Sequence, residues 1–363
     1  MKIAIDARII NSTTGRYVER LINYLEDLKP HHEFLILVRE RDKDYYKPKT
    51  KNFKIVIADF EDYSFGEQIG FAKLLQKLKP DLVHFCMPQQ PLLFTRPAVT
   101  TVHDLNLLRI TKNDMNPVEL ATKKLIFRGL LLAVAKRSKQ ILTPTKFTKN
   151  DLVNFSHINP DKVTVTYEGS LEVISEQQEV QELKGKKFIM YLGRAEPYKN
   201  NRRLIKAHQK LLQEHPDLHL AIAGKIDELR QADKDWVEQN QYKNVHFLGF
   251  VSDSAAAWLY SNCRAYVFAS FMEGFGLPAL DAMAYGAPVA SSSASCLPEV
   301  YQDAAHYFNP HSTDDIARAV NDILTNKKLR DTLSKKGILQ QKKYSWKKMA
   351  TETLQVYNKV LEK

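Results

Sequence analysis

Two acidic residues stand eight positions apart in the stretch 273–300, EGFGLPALDAMAYGAPVASSSASCLPEV. The first, Glu273, falls in a glycine loop, and the second, Asp281, falls in the helix predicted after that loop. We expect Glu273 to face a ligand from the loop and Asp281 to reach a diol from the helix. The alternative interpretation is an ordinary glycine turn, in which Asp281 only complements the helix dipole.

The loop between the two acids has the composition of an anion-binding site. It contains Gly274 and Gly276 and enters a helix at Leu277-Pro278, where proline suits the first turn. Backbone N–H groups around Phe275, Gly276 and Leu277 are expected to point at an anion, which a helix N-terminus favours. The apolar run before the loop predicts a buried strand. The loop therefore lies at the carboxyl end of a strand, where open α/β sheets bind ligands.

A second loop supplies two positive charges. Arg194 and Lys199 lie five positions apart in the stretch 191–200, YLGRAEPYKN, directly after a predicted strand. Taken alone, an Arg and a Lys in such a loop are usually solvated surface residues. Beside the Glu273 loop, however, two cations can neutralise a diphosphate group. We therefore expect Arg194 and Lys199 to neutralise a bound anion.

Alternating strands and helices must position these loops. The predicted strands fall at 2–6, 34–38, 53–57, 80–85, 97–102, 140–143 and 163–167, and then at 188–192, 218–223, 245–247, 265–269 and 288–291. The intervening helices imply parallel sheets covered on both faces. The polar, acidic stretch 170–185 is the predicted linker. With 363 residues, the chain is therefore expected to be an α/β protein of two tandem Rossmann-like, doubly wound parallel-sheet domains.

Composition and charge narrow the class of protein. With 44% apolar and 26% charged residues, the chain resembles a soluble globular protein. The three cysteines lack metal-ligand spacing, and no signal peptide or membrane-spanning run is apparent, so we expect a cytoplasmic location. The net charge is +11, and the segment 112–149 alone holds nine basic and two acidic residues. Such a patch attracts phospholipid headgroups, acidic glycans or nucleic acid.

The sequence EGFGLPALDAMAYGAPV closely resembles the signature of the retaining GT-B glycosyltransferases with the Glu-x7-Glu motif (glycosyltransferase family four, group 1 glycosyltransferases). In that family the first acid lies by the hydroxyl groups of the transferred sugar, and the second binds the ribose hydroxyls of the nucleotide. The resemblance assigns these roles to Glu273 and Asp281. The second acid is Asp here, one methylene shorter than the family Glu.

The stretch 191–200 shares the resemblance. It looks like the strand and loop of the family that carry a Gly-Arg and, five residues later, a Lys, which implies that Arg194 and Lys199 clamp the donor diphosphate.

Three further segments share the resemblance. The strand ending at His103 is similar to one that presents a His to the sugar or the reacting phosphate, with Asp104 steadying the loop. Taken alone, a His at a strand end is more often a packing or capping residue. The Gly15 loop is similar to one that approaches phosphate, although it has only one of the family's two glycines. Val251 falls in a segment similar to the one whose backbone lines the nucleotide base pocket.

The resemblance implies the GT-B fold, with the two domains facing a cleft. Residues 1–172 would bind the acceptor, residues 173–344 would bind the nucleotide-sugar, and the terminal helix in 345–363 would pack back on the N-terminal domain. It also implies retaining transfer of a hexosyl group, with GDP-mannose as the first expected donor, to a glycan or lipid-linked acceptor. The catalytic residues would be His103 and Glu273. The donor-binding residues would be Gly15, Arg194, Lys199, Val251, Gly274, Phe275, Gly276, Leu277 and Asp281.

No cofactor and no metal are expected, because Arg194 and Lys199 would neutralise the diphosphate and no Asp-x-Asp motif occurs among the site motifs. No covalent glycosyl-enzyme is expected either, since the paired carboxylates of retaining hydrolases are not evident. The acceptor is expected near 112–149, which is also a candidate surface for docking on the inner face of the cell membrane. Alternatively, the helix within 119–139 is a core helix with a solvated basic end.

Two other kinds of function remain open from the sequence. A GT-B sugar-nucleotide epimerase or a phosphorylase would share the architecture, although the lysine context of a phosphorylase cofactor is not found. A basic, non-catalytic protein would use 112–149 to bind nucleic acid or a membrane. That interpretation explains the charge but leaves EGFGLP and the pair of Arg194 and Lys199 unexplained, so no nucleic-acid partner is expected.

Overall fold

A computed structural model describes residues 1–12, 14–62, 64–109 and 116–362. The described residues form two compact units. The first unit contains the described residues up to Gly169 together with those from Ser345 onward, and the second runs from Ser170 to Tyr344. The structure thus places the first boundary after Gly169, whereas the sequence pattern predicts it after residue 172. The chain leaves the first unit once and returns to it for its last helix.

The first unit contains a parallel sheet. Within the described residues its strands are β1 (Lys2–Asp6), β2 (Glu33–Val38), β3 (Phe53–Ile57), β4 (Leu82–Phe85), β5 (Ala98–Thr101), β6 (Gln140–Thr143) and β7 (Val163–Val165). They lie in the order β3-β2-β1-β4-β5-β6-β7, and neighbouring strands are parallel. Strands covered on both faces are almost continuously apolar, as β2 is. The strand order reverses between β1 and β4, which makes the carboxyl edge there a switch point.

Helices cover this sheet with their apolar faces. They are α1 (Gly15–Asp27), α2 (Ala72–Leu78), α3 (Asn106–Arg109), α4 (Pro117–Arg137), α5 (Lys146–Ser156) and the last helix of the chain, α13 (Trp346–Leu361). Helix α1 buries Val18, Leu21 and Leu25 at the spacing of one helical face. Helix α13 packs against α1 and buries Met349 and Tyr357. The last helix is therefore part of the core of the first unit.

The second unit contains another parallel sheet. Its strands are β8 (Lys187–Leu192), β9 (Leu218–Ala223), β10 (Val245–Gly249), β11 (Ala265–Phe268), β12 (Val289–Ser292) and β13 (Ala305–Phe308). They lie in the order β10-β9-β8-β11-β12-β13, again with parallel neighbours. The order reverses between β8 and β11. The carboxyl ends of these two strands therefore form the switch point of this sheet.

Several helices of the second unit begin after a polar residue that caps their first turn. The helices of this unit are α6 (Asn201–Leu211), α7 (Glu228–Gln239), α8 (Asp253–Asn262), α9 (Leu277–Ala284), α10 (Leu297–Tyr301), α11 (Thr313–Thr325) and α12 (Lys327–Gln341). The side chains of Asp227, Ser252, Ser312 and Asn326 each accept a hydrogen bond from a backbone N–H in the first turn. Such caps satisfy N–H groups that the helix itself leaves unpaired. The cap residues therefore fix where α7, α8, α11 and α12 begin.

Among the elements that the sequence pattern does not predict are α5, α10 and β13. Helix α5 is mostly polar, and its start depends on a cap in which Thr145 Oγ1 accepts from the Thr148 N–H at 3.1 Å. Helix α10 and strand β13 are too short to show a period. The helical segment that ends with α2 begins with a π-helical turn, Gly66–Phe71. The predicted α/β class with two parallel, doubly wound sheets is confirmed.

Candidate active site

Two neighbouring strands of the second unit carry the loops predicted from the sequence. Strands β8 and β11 pair in parallel where the strand order reverses. Arg194 and Lys199 follow β8, and the loop from Glu273 to Leu277 follows β11. Because the carboxyl ends of parallel strands meet at one edge of a sheet, both loops start from the switch point.

Lys199 and Glu273 form a buried ion pair. Lys199 Nζ lies 2.7 Å from Glu273 Oε1, and the two side chains are 13% and 10% exposed. The ammonium also lies 5.0 Å from the ring centroid of Tyr198 and 5.7 Å from that of Phe268. Burial by itself would lower the pKa of Lys199, but Glu273 and two nearby tyrosines outweigh burial and raise it well above its ordinary value. Lys199 is therefore a fixed positive charge in the second unit.

Hydrogen bonds hold the backbone on both sides of this ion pair. Asn200 Nδ2 donates to the Ala269 carbonyl at 3.0 Å, which joins the loop after β8 to the loop after β11. The Glu273 N–H donates to Ser295 Oγ at 3.1 Å, and Cys296 Sγ donates to the Glu273 carbonyl at 3.2 Å. The position of the Glu273 carboxylate is thus fixed through its own backbone.

The start of α9 requires glycine. Gly276 has φ of 97°, and its carbonyl accepts the Tyr301 hydroxyl at 2.6 Å. A Cβ at this position would lie 2.2 Å from the same hydroxyl oxygen. The neighbouring Phe275 is buried and lies edge-on to Tyr344, with 5.3 Å between the ring centroids. Packing therefore fixes the backbone between Gly274 and Leu277, as an anion site at a helix N-terminus needs.

Asp281 lies on the same helix but has almost no exposed surface. The residue is 2% exposed, and its Oδ1 accepts the Leu171 N–H at 2.9 Å. This bond ties α9 to the segment that begins the second unit. The sequence does not reveal the Leu171 N–H as a partner of Asp281. The diol-binding role of Asp281 stays a prediction.

Arg194 and Val251 occupy more accessible positions. The Arg194 side chain is 52% exposed, and its Nη2 lies 3.7 Å from Glu196 Oε1. Val251 is half-buried and follows Gly249, the last residue of β10, which has φ of 68°. Arg194 and Lys199 therefore share one loop but differ in burial. Arg194 is the cation that can move to meet a ligand.

His103, in the first unit, has partners on both ring nitrogens. Its Nε2 lies 3.1 Å from the Cys86 carbonyl oxygen, and its Nδ1 lies 3.3 Å from Glu168 Oε1. Neutral imidazole carries a single N–H, so only the imidazolium form donates to both acceptors. Glu168 was not predicted from the sequence as a site residue. The one feature that could have indicated it is its position just after β7, at the same sheet edge as His103.

Gly15 begins α1 at a point of close backbone approach. A Cβ there would lie 1.9 Å from the Ile10 carbonyl oxygen. The helix that Gly15 begins carries Tyr17, whose ring lies edge-on to His103 with 4.7 Å between centroids. The fold itself therefore explains the need for glycine at this position, and the predicted approach of Gly15 to phosphate stays a prediction. Tyr17 brings the start of α1 and His103 together.

A buried polar chain lies behind His103. His84, on β4, has Nδ1 2.5 Å from Tyr357 Oη and Nε2 2.8 Å from Thr101 Oγ1. Thr101 Oγ1 also lies 2.9 Å from Tyr17 Oη. Burial, together with the nearby charge of His103, lowers the pKa of His84 to about 3. The neutral His84 ring thus joins α13, β4, β5 and α1.

Helix α4 carries most of the basic patch predicted at 112–149, of which residues 112–115 lie outside the described residues. Its second half belongs to a core, in which Phe127, Leu130, Leu131, Val134 and Ala135 are buried. Toward its start, Leu125 is 70% exposed, and Val118 and Ile126 are exposed as well. The core-helix interpretation therefore describes only the second half of α4. Among the described helices, none combines the length and apolar character needed to cross a bilayer.

The structure thus brings Lys199, Glu273 and the start of α9 together in the second unit, and it brings the start of α1 and His103 together in the first. Asn200, Ser295 and Tyr301, which position the loops of the second unit, were not predicted from the sequence. Across the described parts of the chain, no three His, Cys, Asp or Glu side chains are grouped so that they could hold a metal ion.

Comparisons with known sequences match both units. The family described as Glycosyl transferases group 1 matches residues 173–340, and the one described as Glycosyltransferase Family 4 matches residues 14–169. O-antigen chain mannosyltransferase B of Escherichia coli is 29% identical over 276 residues, which cover 72% of this chain and 70% of that protein. The serotype-specific mannosyltransferase WbdA of E. coli is 30% identical over 249 residues, which cover 64% of this chain but only 30% of WbdA.

Solved structures share the fold over nearly the whole chain. Sucrose-phosphate synthase from Thermosynechococcus elongatus gives a TM-score of 0.79 at 16% identity, covering 100% of this chain and 99% of that one. HepE from Anabaena, solved in complex with UDP-glucose, gives a TM-score of 0.76 at 15% identity, covering 99% of this chain and 100% of that one. At these identities the likeness concerns the fold alone. It confirms the GT-B fold class predicted from the sequence.

Proposed function

The chain belongs to the group 1 glycosyltransferases, and we propose that it moves a mannosyl group from a nucleotide-diphospho-mannose to a glycan or lipid-linked acceptor, with retention at the anomeric carbon. The observation that carries this proposal is the buried pair of Lys199 and Glu273 at the switch point of the second sheet. The E. coli mannosyltransferase relatives support mannose as the sugar. GDP-mannose is accordingly the first donor to test.

The leaving diphosphate is the group that most needs stabilisation. Negative charge grows on it as its bond to the sugar breaks, and preorganised cations and N–H groups lower the energy of that state. Lys199 supplies a fixed cation, the half-exposed Arg194 supplies a movable one, and the start of α9 supplies backbone N–H groups. These groups together would neutralise the diphosphate without a metal ion.

The remaining assignments concern the sugar and the nucleoside. We assign Glu273 to the sugar hydroxyls, Asp281 to the ribose diol, and the backbone at Val251 to the base. His103 would act on the sugar or the reacting phosphate, with a ligand oxygen replacing the Cys86 carbonyl at Nε2. The leaving phosphate would itself take the proton of the acceptor hydroxyl, so no covalent glycosyl-enzyme is required.

Helix α4 supports the proposals for the acceptor and for the cellular location. Exposed Leu125 and Ile126 stand beside the basic residues Lys123, Lys124 and Arg128, a combination that suits the headgroup region of an anionic membrane. Each basic residue near such a surface contributes about 1 kcal/mol. We propose that the protein is cytoplasmic and docks peripherally at the inner face of the membrane. Absence of any preference for anionic over neutral vesicles in flotation at low salt would rule out this docking.

A thermal-shift panel of GDP-, UDP-, ADP- and dTDP-sugars tests the donor site. We expect GDP-mannose to raise the melting temperature of the wild type, and we expect Lys199→Ala and Glu273→Ala to remove most of that rise when each is compared with its own unliganded form. The control is Lys184→Ala, because Lys184 is an exposed lysine of the same unit. A stabilising effect that survives Lys199→Ala undiminished contradicts the clamp.

Analysis of the product separates the proposed reaction from its rivals. A retaining transferase gives a new glycosidic bond of the same anomeric configuration as the donor, which NMR of the product reads directly. A sugar-nucleotide epimerase would instead change the donor without an acceptor. Activity that is unchanged by EDTA is expected for a metal-independent transfer. An inverted product would refute the retaining mechanism.

A further inference from the structure

Arg230, on α7, is the largest of the almost completely buried side chains among the described residues, at 1% exposed. Its Nη2 donates to the Gly193 carbonyl at 2.7 Å, whereas its Nε and Nη1 donate to no described residue. A buried polar group without a partner is costly and needs an explanation. Burial lowers the pKa of Arg230, and the nearby Tyr191 and Asp233 offset this only in part. The proposed mechanism does not use this charge.

The loop after β8 turns two successive carbonyl groups toward buried partners. The Gly193 carbonyl accepts from Arg230, and the Arg194 carbonyl accepts from Tyr191 Oη at 3.0 Å. Because a trans peptide holds its C=O and N–H on opposite sides, the N–H groups of Arg194 and Ala195 point away from those partners. Neither N–H donates to another residue in the described parts of the chain. Successive N–H groups of this kind form a concave anion-binding site.

Two glycines make room for this arrangement. A Cβ at Gly224 would lie 2.1 Å from the Gly193 carbonyl oxygen, and the φ of Gly224 is 140°. A Cβ at Gly193 itself would lie 2.6 Å from Tyr191 Oη. The Gly193 carbonyl therefore occupies a narrow slot between Gly224 and Arg230. Its direction is determined by the hydrogen bond that Arg230 donates.

We propose that Arg230 is a positioning residue for the donor diphosphate. By holding the Gly193 carbonyl, it turns the N–H groups of Arg194 and Ala195 toward the diphosphate of the nucleotide-sugar, and its buried charge strengthens the attraction. This inference rests on the proposed function and adds an interior residue to its anion site. Arg230 acts through the Gly193 carbonyl, which is the acceptor that its guanidinium has among the described residues.

The test compares a nucleoside diphosphate with its nucleoside. Calorimetric titration of GDP and UDP, and ligand-observed NMR titration of guanosine and uridine, are carried out on the wild type, Arg230→Met and Arg230→Lys. Arg230→Met is expected to lower the affinity for the nucleoside diphosphate roughly tenfold, which corresponds to one charge-assisted hydrogen bond. The affinity for the nucleoside should stay unchanged. Arg230→Lys, which keeps the charge and one donor, is expected to recover part of the loss. Arg202→Met is the control, since Arg202 is half-exposed and pairs with Asp233, and it should change neither affinity.

Each outcome decides the question. A wild type that binds neither GDP nor UDP overturns the proposed function. A wild type that binds, with Arg230→Met binding the diphosphate equally well, overturns only the positioning role. Equal losses for nucleoside and diphosphate also overturn it, because a general weakening of the fold would explain them. If Arg230→Met does not fold, Gly224→Ala takes its place, because it displaces the Gly193 carbonyl without removing a charge. Gly224→Ala must then lose affinity for the diphosphate but not for the nucleoside. An unchanged affinity of Gly224→Ala for the diphosphate overturns the inference.

Discussion

Replacing Glu273 by glutamine should destabilise the second unit by about 3 kcal/mol, because the Lys199 ammonium then stays buried without its carboxylate. Removing one partner of a buried ion pair costs about 3–5 kcal/mol, chiefly through the charge left behind. Glutamine keeps an oxygen that can still accept from Lys199 Nζ, so the expected loss lies at the lower end of that range.

The geometry of the pair gives the same order of magnitude. At 2.7 Å between Lys199 Nζ and Glu273 Oε1, an effective dielectric constant of about 20 corresponds to an attraction of roughly 6 kcal/mol. Moving two charges out of water offsets several kcal/mol of this attraction. In Glu273→Gln the attraction disappears, while the cost of burying Lys199 persists. The net effect is therefore a few kcal/mol.

Scanning calorimetry measures this loss. For a unit of this size, 1 kcal/mol corresponds to about 3 °C in melting temperature, so Glu273→Gln should lower the transition of the second unit by about 9 °C. A double-mutant cycle with Lys199→Met should show a coupling energy of about 2 kcal/mol, because contacting residues are not additive.

A matched control separates burial from distance. Lys184 and Glu179 also lie 2.7 Å apart, but their side chains are 62% and 35% exposed. Exposed pairs contribute little to stability, because water and salt screen them, so Glu179→Gln should leave the melting temperature almost unchanged. If Glu273→Gln and Glu179→Gln have the same small effect, the reasoning from burial is refuted.

Three further predictions concern the packing around the site. The pKa of His84 is about 3 in the folded protein and about 6.5 when unfolded, so its contribution to stability is complete above about pH 6.5 and is lost as the pH falls toward 3. At pH 5 the free energy of unfolding of the first unit should be about 2 kcal/mol lower than at neutral pH. Between pH 7 and pH 4 the melting temperature of His84→Gln should therefore fall less steeply than that of the wild type. Equal slopes for the two proteins would contradict this. Gly276→Ala places a Cβ against the Tyr301 hydroxyl and should destabilise the second unit by about 1–3 kcal/mol. In Gly129→Ala the new Cβ in α4 meets nothing within 4 Å, so this variant should stabilise the first unit by about 0.5–1 kcal/mol. Calorimetry of both variants measures the contrast. Asp281→Ala should lower the free energy of unfolding of the second unit by about 1–3 kcal/mol, because the Leu171 N–H loses its acceptor. Asp281→Asn keeps an oxygen acceptor and should retain most of the stability. Similar melting temperatures for the two variants would argue against a structural role of this hydrogen bond.

Local pattern was sufficient to predict most of the elements. Strand β9 matches its predicted bounds, 218–223, at both ends, because a strand covered on both faces is almost continuously apolar. Helix α1 could be predicted from the spacing of Leu21 and Leu25 on one face. Helix α5 could not, since its stability comes from a cap and from tertiary packing rather than from an apolar period.

The local sequence pattern could not predict contacts between residues that are distant in the sequence. Lys199 and Glu273 could each be assigned to a ligand, but nothing in the sequence indicates that two residues 74 positions apart bind each other. Glu168 and Arg230 are harder still. A carboxylate after a strand and an arginine within a polar helix look like ordinary surface residues, and only the folded chain shows that both are buried.

The return of the chain to the first unit affects the order in which the protein can fold during synthesis. The second unit is complete in sequence once Tyr344 has been made. The first sheet, although it is made earlier, still lacks α13, and with it the packing on α1 and the Tyr357 partner of His84. Domains generally fold as units while the chain emerges from the ribosome. The first sheet is therefore made before the second unit but completes its packing after it, and the part of α1 that packs on α13 stays uncovered until α13 has been made.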